Sequence, residues 1–228
     1  MIALIGAMPE EVKAIRDHMK NAVCHTYKKQ KFYVGNIGRR KCIATQCGVG
    51  KTNAAVTAAI LMERYPITGV INVGIAGGLD PQEEVFDIVI SERTAHHDID
   101  IPGGNWPKGF DQKKTCFRSD AHYVKTAKQV MKKMHQKAWI GDMVSGDQFV
   151  YRTKQIDEIL KNYPTALCAE MEGASIAQVC SRYQVPFIVI RSLSDIARKK
   201  DNEKSADFNV GQAAEASALF CEKFLEEI

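Results

Sequence analysis

Residues 69–74 read GVINVG, an almost unbroken apolar run, and residues 75–80 continue as the turn IAGGLD. An apolar run of this kind predicts a strand that is covered on both faces, which is typical of the parallel sheets of α/β proteins. The glycine-rich turn then marks the carboxyl end of the strand. The fold class depends on what lies on either side of it.

The segments before residue 69 alternate between strand and helix patterns. IALIG at residues 2–6 predicts a strand, and apolar side chains recur at helical spacing over residues 7–19. KFYVGNI and KCIATQC, at residues 31–37 and 41–47, predict a β-hairpin with a two-residue turn. Small residues over 52–65 predict a helix that packs closely on a sheet.

The alternation continues to the end of the chain, with one interruption. Residues 95–120 are rich in Gly, Pro and Asp and include Trp106 and Phe110, which we expect to be exposed. A long segment without periodicity is often functional, so we predict a flap or an interface loop there. The remaining segments predict strands and helices in turn, which indicates one α/β domain over residues 1–228 with a mixed, mostly parallel sheet between helices.

Composition limits the function classes. The chain has 228 residues, of which 45% are hydrophobic and 25% charged, with a net charge of +4, as in ordinary globular enzymes. The basic runs are dispersed and lack interleaved aromatic residues, so we expect no nucleic-acid binding. The 7 cysteines form no C-x-x-C pair and predict free thiols. No run is long enough for a membrane span, and we expect a cytoplasmic protein.

Two motifs suggest a nucleotide-binding site and a metal site, but the residues of each motif argue against that kind of site. CGVGKTNAAV at residues 47–56 contains GVGKT, but a P-loop needs a glycine where Thr45 stands, and Asn53 occupies the third glycine position of a dinucleotide motif. We instead expect Gly48 and Gly50 to let the backbone pass close to a ligand, with Lys51 facing solvent. HHDID at residues 96–100 lacks a second ligand cluster, so a metal site is disfavoured.

Carboxylates follow several predicted strands. In α/β sheets ligands bind beyond the carboxyl ends of strands. Taken alone, Glu10 or Glu11 could simply be a negative side chain that stabilises the first turn of a helix through the helix dipole, and Asp195 could be a helix cap. The strand ends together predict an acidic pocket floored by glycines, suited to general acid/base chemistry on a neutral polyol or nucleoside; they are Glu10–Glu11, Gly74–Gly78, Glu170–Glu172 and Arg191–Asp195.

Six ordered motifs resemble one family over most of the chain, from Met1 to about Leu225. They are IGAMPEEV, GVGKTNAA, NVGIAGGL, VSGDQFV, AEMEGASIAQVC and IRSLSD. Together they are similar to the 5'-methylthioadenosine/S-adenosylhomocysteine nucleosidases of the nucleoside phosphorylase superfamily. The resemblance implies a three-layer α/β/α sandwich with a nucleoside phosphorylase-like mixed sheet, a homodimer, and hydrolysis of an adenine N-glycosidic bond without metal or cofactor. It also implies a small-molecule nucleoside substrate and a place in methionine salvage.

The resemblance also assigns roles to residues. It implies that Glu11 activates the attacking water and that Asp195, oriented by Ser194, protonates adenine N7. The other expected contacts are Glu172 to the ribose hydroxyls, Met171 and Val49 along the sugar and 5' side, Arg191 near the water, Phe149 stacked on the purine, Val150 at its edge through the backbone, Ala76 and Gly77 beside the base, and Phe208 closing the 5' side.

Several alternatives stay open at this point. Phosphorylases of this fold resemble one another in a Gly-Asp-Pro-x-Arg stretch, which residues 7–11 replace with AMPEE, so water is favoured over phosphate as the nucleophile. Ile75 stands where these nucleosidases commonly have Ser or Thr. Residues 98–110 diverge from the family, with Trp106 or Ile101 as candidates for its apolar flap residue. Methylthioadenosine, S-adenosylhomocysteine, 5'-deoxyadenosine and aminofutalosine are all candidate substrates, and a non-catalytic nucleoside-binding protein is a further alternative.

Overall fold

The structure is a computed structural model that describes residues 1–101, 103, 106–112, 115–197 and 210–228. Within these residues the strands are β1 (Ile2–Gly6), β2 (Lys20–Tyr27), β3 (Gln30–Ile37), β4 (Arg40–Gln46), β5 (Gly69–Gly78), β6 (Ile88–His96), β7 (Cys116–Arg118), β8 (Ala138–Ser145), β9 (Ala166–Glu170) and β10 (Phe187–Ile196). The helices are α1 (Pro9–Asp17), α2 (Lys51–Arg64), α3 (Ala121–Met134), α4 (Thr153–Asn162), α5 (Gly173–Tyr183) and α6 (Val210–Glu227).

The strand over residues 69–78 is covered on both faces, as its apolar pattern predicts. Ile71 and Val73 belong to a core cluster built with residues of α1, α3 and α6. Val70 and Ala76 belong to a second cluster, which includes residues of α2 and α5. Alternate side chains of one strand therefore enter two cores, and the predicted three-layer α/β/α sandwich is confirmed.

The mixed sheet closes partly on itself. Its order is β10-β6-β8-β9-β5-β1-β4-β3-β2, and β10 also pairs in parallel with β5. The last residues of β9 pair antiparallel with Gly77 and Gly78 of β5. β9 therefore pairs with the carboxyl half of β5 on the edge opposite β10, beyond the residues that pair with β1, and it runs antiparallel to β5. This closure brings the ends of β1, β5, β9 and β10 to one place.

Two segments differ from the sequence-based expectation. The sequence pattern does not predict β2, because its side chains are almost all exposed and carry no apolar alternation. Lys28 and Lys29 form its turn to β3. The segment 95–120 is not a continuous loop, since β6 extends to His96 and the three residues of β7 pair with it. Phe110 is buried against Tyr163, not exposed, with ring centroids 5.2 Å apart.

The predicted hairpin between β3 and β4 is confirmed. The two strands are antiparallel, with Ile37 opposite Arg40. Gly38 takes a left-handed φ of 54°, which a two-residue hairpin turn requires and glycine adopts without strain. In the described part of the chain, no helix has the length and apolar character needed to cross a bilayer.

Candidate functional site

A cavity of about 340 Å³ opens where the ends of β1, β5, β9 and β10 meet. It is lined by Ala7, Met8, Glu11, Val49, Ile75, Ala76, Gly77, Gln148, Phe149, Val150, Ala169, Glu170, Met171, Glu172 and Ser194. The structure thus brings together most of the predicted site residues. Arg191 and Asp195 lie on β10 directly behind this lining, and Phe208 lies outside the described residues.

Glu11 is held by backbone donors from two elements. One oxygen accepts hydrogen bonds from the amides of Ala7 at 2.6 Å and Met8 at 3.0 Å, and the other accepts from the amide of Ile75 at 3.0 Å. Glu11 therefore does cap the start of α1, but it also reaches across to β5. Burial raises the pKa of this carboxyl, while Arg191 and the three amides act in the opposite direction.

Gly74 provides the space for this carboxylate. A Cβ atom at this position would lie 2.8 Å from Glu11 Cδ and 3.2 Å from an Arg191 guanidinium nitrogen. Both distances are shorter than the van der Waals contact that a Cβ atom tolerates. A glycine at position 74 is therefore needed for Glu11 and Arg191 to approach each other across β5.

Arg191 is completely enclosed and paired mainly with Glu170, a residue to which the sequence assigned no role. Its Nη2 donates to Glu170 Oε2 at 2.5 Å and to Asn72 Oδ1 at 2.6 Å, and lies 3.7 Å from Glu172 Oε2. Glu170 also accepts from Ser145 Oγ and from the amides of Glu172 and Gly173. Burial acts to raise its pKa, but Arg191 and these donors hold it below its ordinary value.

For Glu172, the effects that raise the pKa outweigh those that lower it. The side chain is buried, it lies beside the ionised Glu170, and its only strong donor in the described part of the chain is the Gly50 amide at 2.8 Å. Burial and the charge of Glu170 raise the pKa of Glu172 to about 8, although Arg191 and the Gly50 amide lower it. Two neighbouring glutamates therefore carry different protonation states near neutral pH, since two adjacent carboxylates resist ionising together.

Asp195 lies in β10 opposite Gly77 of β5, whereas Glu11 approaches the same strand at Gly74. Asp195 is not a helix cap; it is buried, it accepts a hydrogen bond from Ser194 Oγ at 2.8 Å, and it stands beside Gly77. A Cβ at Gly77 would lie 3.3 Å from an Asp195 oxygen. The acidic group is thus close to the open backbone of β5, where a planar ligand has room.

Apolar side chains form the rim of the cavity. Phe149 and Val49 are 50% and 48% exposed, and Phe149 stacks on Tyr151 with ring centroids 5.9 Å apart. Val150, by contrast, is buried. Two exposed apolar groups at the mouth of a cavity indicate that a ligand covers them when bound.

The structure corrects the expected environment of Lys51, which belongs to the GVGKT motif. Lys51 does not face solvent, because its ammonium group pairs with Asp98 at 2.6 Å. Gly48 and Gly50 do adopt left-handed φ angles of 87° and 98°. Cys47 is unsuited as a nucleophile, since burial and the charges of Glu172 and Glu11 raise its thiol pKa. The described residues contain no group of His, Cys, Asp or Glu that could hold a metal ion.

Sequence reasoning missed some of the lining. The lining residues that the sequence does not assign to the site are Ala7, Met8, Gln148 and Ala169. Each lies close in the chain to a predicted residue, so proximity along the chain was an available signal. Ile75 and Glu170 belong to the predicted strand-end pocket, but the sequence assigns no role to either side chain. Glu170 was visible as one of the strand-end carboxylates, but its pairing with Arg191 depends on how β9 and β10 are placed in the sheet.

The chain is similar to known proteins over almost its whole length. A family model described as "Phosphorylase superfamily" matches residues 1–226. The 5'-methylthioadenosine/S-adenosylhomocysteine nucleosidase of Bacillus cereus (strain AH187) is 38% identical, covering 100% of this chain and 99% of that protein. The chain belongs to the 5'-methylthioadenosine/S-adenosylhomocysteine nucleosidase family of the phosphorylase superfamily. The resemblance seen in the motifs is confirmed.

Solved structures extend this result to the fold of the nucleosidase family. The chain superposes on the enzyme of Neisseria meningitidis in complex with methylthio-immucillin-A with a TM-score of 0.93 and 32% identity, covering 100% and 99% of the two chains. The futalosine hydrolase of Helicobacter pylori strain 26695 gives a TM-score of 0.92 at 27% identity, with 100% and 97% covered. The same fold is therefore shared by solved structures that carry different names.

Proposed function

We propose that this protein hydrolyses the N-glycosidic bond of 5'-substituted adenosines, 5'-methylthioadenosine and S-adenosylhomocysteine, releasing adenine and the 5-substituted ribose. The observation that carries the proposal is the arrangement of Glu11, Glu172 and Asp195 around one cavity, with Arg191 already paired to Glu170. Relatives and structural neighbours with full coverage bear the corresponding name.

The chemistry of the bond explains why carboxylates suit this site. Breaking a C–N glycosidic bond builds positive charge on the ribose and negative charge on the departing purine. Negative groups below the sugar and a proton donor at the purine therefore act more strongly on the transition state than on the substrate. Glu11 and the ionised Glu170 in the cavity lining supply the first requirement, and Asp195 supplies the second.

Glu11 is the residue we assign to activate water. Its raised pKa makes it a better proton acceptor than an ordinary glutamate, and three amides fix its orientation. Glu172 holds the ribose hydroxyls, Met171 and Val49 line the sugar and 5' side, and Arg191 holds the glutamates in place.

On the purine side, Asp195 donates the proton to adenine N7 and Ser194 orients its carboxyl group. Phe149 stacks on the purine, and the backbone of Val150 contacts its edge. Ala76 and Gly77 leave room for the base, because neither side of β5 carries a large side chain there.

Water is favoured over phosphate as the nucleophile by charge. Phosphate would have to approach Glu11, Glu170 and Glu172, which line the cavity, while the guanidinium of Arg191 is already paired. Contact between two like charges near a protein surface costs about 4 kcal/mol. A phosphorylase would need a free cation at this position.

A different 5' specificity is the second candidate. The structural match to a futalosine hydrolase favours it. Phe208, which we expect to close the 5' side, lies outside the described residues, and Ile75 lines the cavity with a side chain that has no hydroxyl. Aminofutalosine and 5'-deoxyadenosine therefore belong in the same assay as the two named substrates.

The test is adenine release from this panel, followed by chromatography, with and without inorganic phosphate. Hydrolysis predicts free 5-substituted ribose at a rate independent of phosphate. Turnover that requires phosphate and yields ribose 1-phosphate contradicts the proposal. If no nucleoside of the panel releases adenine, the alternative of a non-catalytic nucleoside-binding protein is favoured.

We also propose a homodimer, a cytoplasmic location and a role in methionine salvage. The apolar side chains of Val56 in α2 and of Ile101 are 54% and 43% exposed, which supports an interface with a second copy of the chain. Light scattering coupled to gel filtration tests the dimer, and a monomer at micromolar concentration contradicts it. Cell fractionation tests the location, and growth on methylthioadenosine as the sulfur source tests the role in salvage.

A further inference from the structure

One residue of the GVGKT motif and one of the HHDID motif form an ion pair, and the proposed function uses neither residue. Lys51 belongs to GVGKT and Asp98 to HHDID. Lys51 Nζ and Asp98 Oδ1 are 2.6 Å apart, and the two side chains are only 19% and 10% exposed. An ion pair this enclosed differs from the exposed pairs that contribute little at protein surfaces.

Further hydrogen bonds extend this pair into a ring. Asp98 Oδ2 accepts from the amide of Asp147 at 2.8 Å, and Asp147 Oδ1 accepts from the amide of Lys51 at 2.7 Å. The ring joins the segment after β6, the loop after β8 and the first residue of α2. His97 adds a packing contact, since a Cβ at Gly146 would lie 2.6 Å from His97 Cε1.

The ring lies next to both walls of the cavity. Val49 and Gly50 directly precede Lys51, and the Gly50 amide donates to Glu172. Phe149 follows Asp147 by two residues. Val49 and Phe149 are half exposed, so the hydrogen bonds of the neighbouring backbone contribute to holding them in position.

The charges of the ring favour one discrete geometry. The carboxylate of Asp147 accepts from the amide of Lys51, the first residue of α2, where the helix dipole favours negative charge. Lys51 supplies the matching positive charge for Asp98. Separating an enclosed pair leaves a charge without compensation, so intermediate arrangements are disfavoured.

We propose that Lys51, Asp98 and Asp147 form a clamp that fixes the purine-side and sugar-side walls of the cavity, with Lys51 and Asp98 as positioning residues for nucleoside and adenine binding. The inference rests on the proposed function, because that function identifies the ligand of these walls as a nucleoside, with its sugar beside Val49 and its purine beside Phe149. It assigns a purpose to the lysine of GVGKT that needs no phosphate.

The test compares Asp98→Asn and Lys51→Met with the wild type. Asp98→Asn keeps the size of the side chain and an acceptor for the Asp147 amide but removes the ion pair. We expect KM for methylthioadenosine and the dissociation constant of adenine to rise together by about tenfold, which corresponds to about 1.4 kcal/mol. We expect kcat to change by less than about threefold, because no reacting atom is touched.

Further variants separate the clamp from a general loss of stability. Lys51→Arg should retain most of the affinity, and the double variant should bind no more weakly than the single ones, because the two residues act as a pair. Lys13→Met is the matched control, since Lys13 pairs with Asp17 at 2.6 Å on the exposed surface. Folded Asp98→Asn protein with wild-type KM and adenine affinity would overturn the clamp.

Hydrogen exchange gives a readout that does not need turnover. Loosening the clamp should speed exchange of the amides of residues 147–150 in Asp98→Asn and leave the core strands unchanged. Unchanged protection there contradicts the clamp even if the wild type proves inactive. Absence of adenine release by the wild type refutes the proposed function alone, so the two failures are distinguishable.

Discussion

Replacing Glu172 with glutamine should make the protein more stable and less active. The side chain is buried and its pKa is raised from 4.5 to about 8, so folding holds a proton on a group that the unfolded chain releases. Below about pH 4.5 both states are protonated and the full stability is present. As pH rises towards 8 only the unfolded state ionises, and stability is lost progressively.

The magnitude follows from the pKa difference. At about 1.4 kcal/mol per pH unit, the interval from 4.5 to about 8 amounts to about 5 kcal/mol, which we take as an upper bound. Glutamine has the shape of the protonated acid and keeps an acceptor for the Gly50 amide. The Glu172→Gln variant should therefore equal the wild type at low pH and exceed it increasingly as pH rises.

Thermal unfolding between about pH 5 and pH 9 measures this difference. At roughly 2–4 °C per kcal/mol, Tm of Glu172→Gln should exceed that of the wild type by about 10 °C at the alkaline end. Adenine release should meanwhile fall, because an amide, unlike the carboxyl group of Glu172, cannot ionise or exchange a proton with the ribose hydroxyls. A Tm difference that does not change with pH would refute the reasoning.

Glu83→Gln is the matched control. Burial also raises the pKa of Glu83 to about 8, and this residue does not line the cavity. We expect the same pH-dependent gain in stability with unchanged turnover. If both variants gained stability and both lost activity, the loss could not be assigned to the position of Glu172 in the site.

The other predictions concern the reaction centre and its support. Asp195→Asn should lower kcat for adenine release by at least about 100-fold, with Tm close to that of the wild type; an active variant removes this residue from the proton donor role. Gly74→Ala should lower kcat/KM about 100-fold by displacing Glu11, whereas Gly211→Ala, where a Cβ meets nothing within 4 Å, should not. Glu170→Gln should lower the free energy of unfolding in urea at neutral pH by about 3 kcal/mol, because the buried guanidinium loses its close partner; a loss under about 1 kcal/mol contradicts this.

Much of the candidate site was accessible from local sequence. Glu11, Glu172 and Asp195 each follow or end a strand whose apolar pattern is visible in a few residues. Chain geometry alone then directs them towards one edge of a sheet. The sequence does not predict the roles of Ser145 and Glu170, because these roles depend on contacts between residues that are far apart in the chain.

Electrostatics could not be read from the sequence for the same reason. Glu170 and Glu172 are two residues apart, yet the pKa of one is lowered and that of the other raised. The difference comes from Arg191, which lies on another strand and is 2.5 Å from Glu170 but 3.7 Å from Glu172. Coulomb energy at such distances in a buried site depends on ångström-scale placement.

The sequence by itself determined the layers of this protein, the helix and strand patterns and the family, because apolar periodicity and motif order are local properties of the chain. It could not show β2, whose exposed side chains leave no apolar pattern. The tertiary structure alone decided that β5 to β10 closes the sheet, that Arg191 pairs with Glu170, and that Lys51 meets Asp98. These are long-range contacts, and their free energy depends on the spatial arrangement of segments that are distant in sequence.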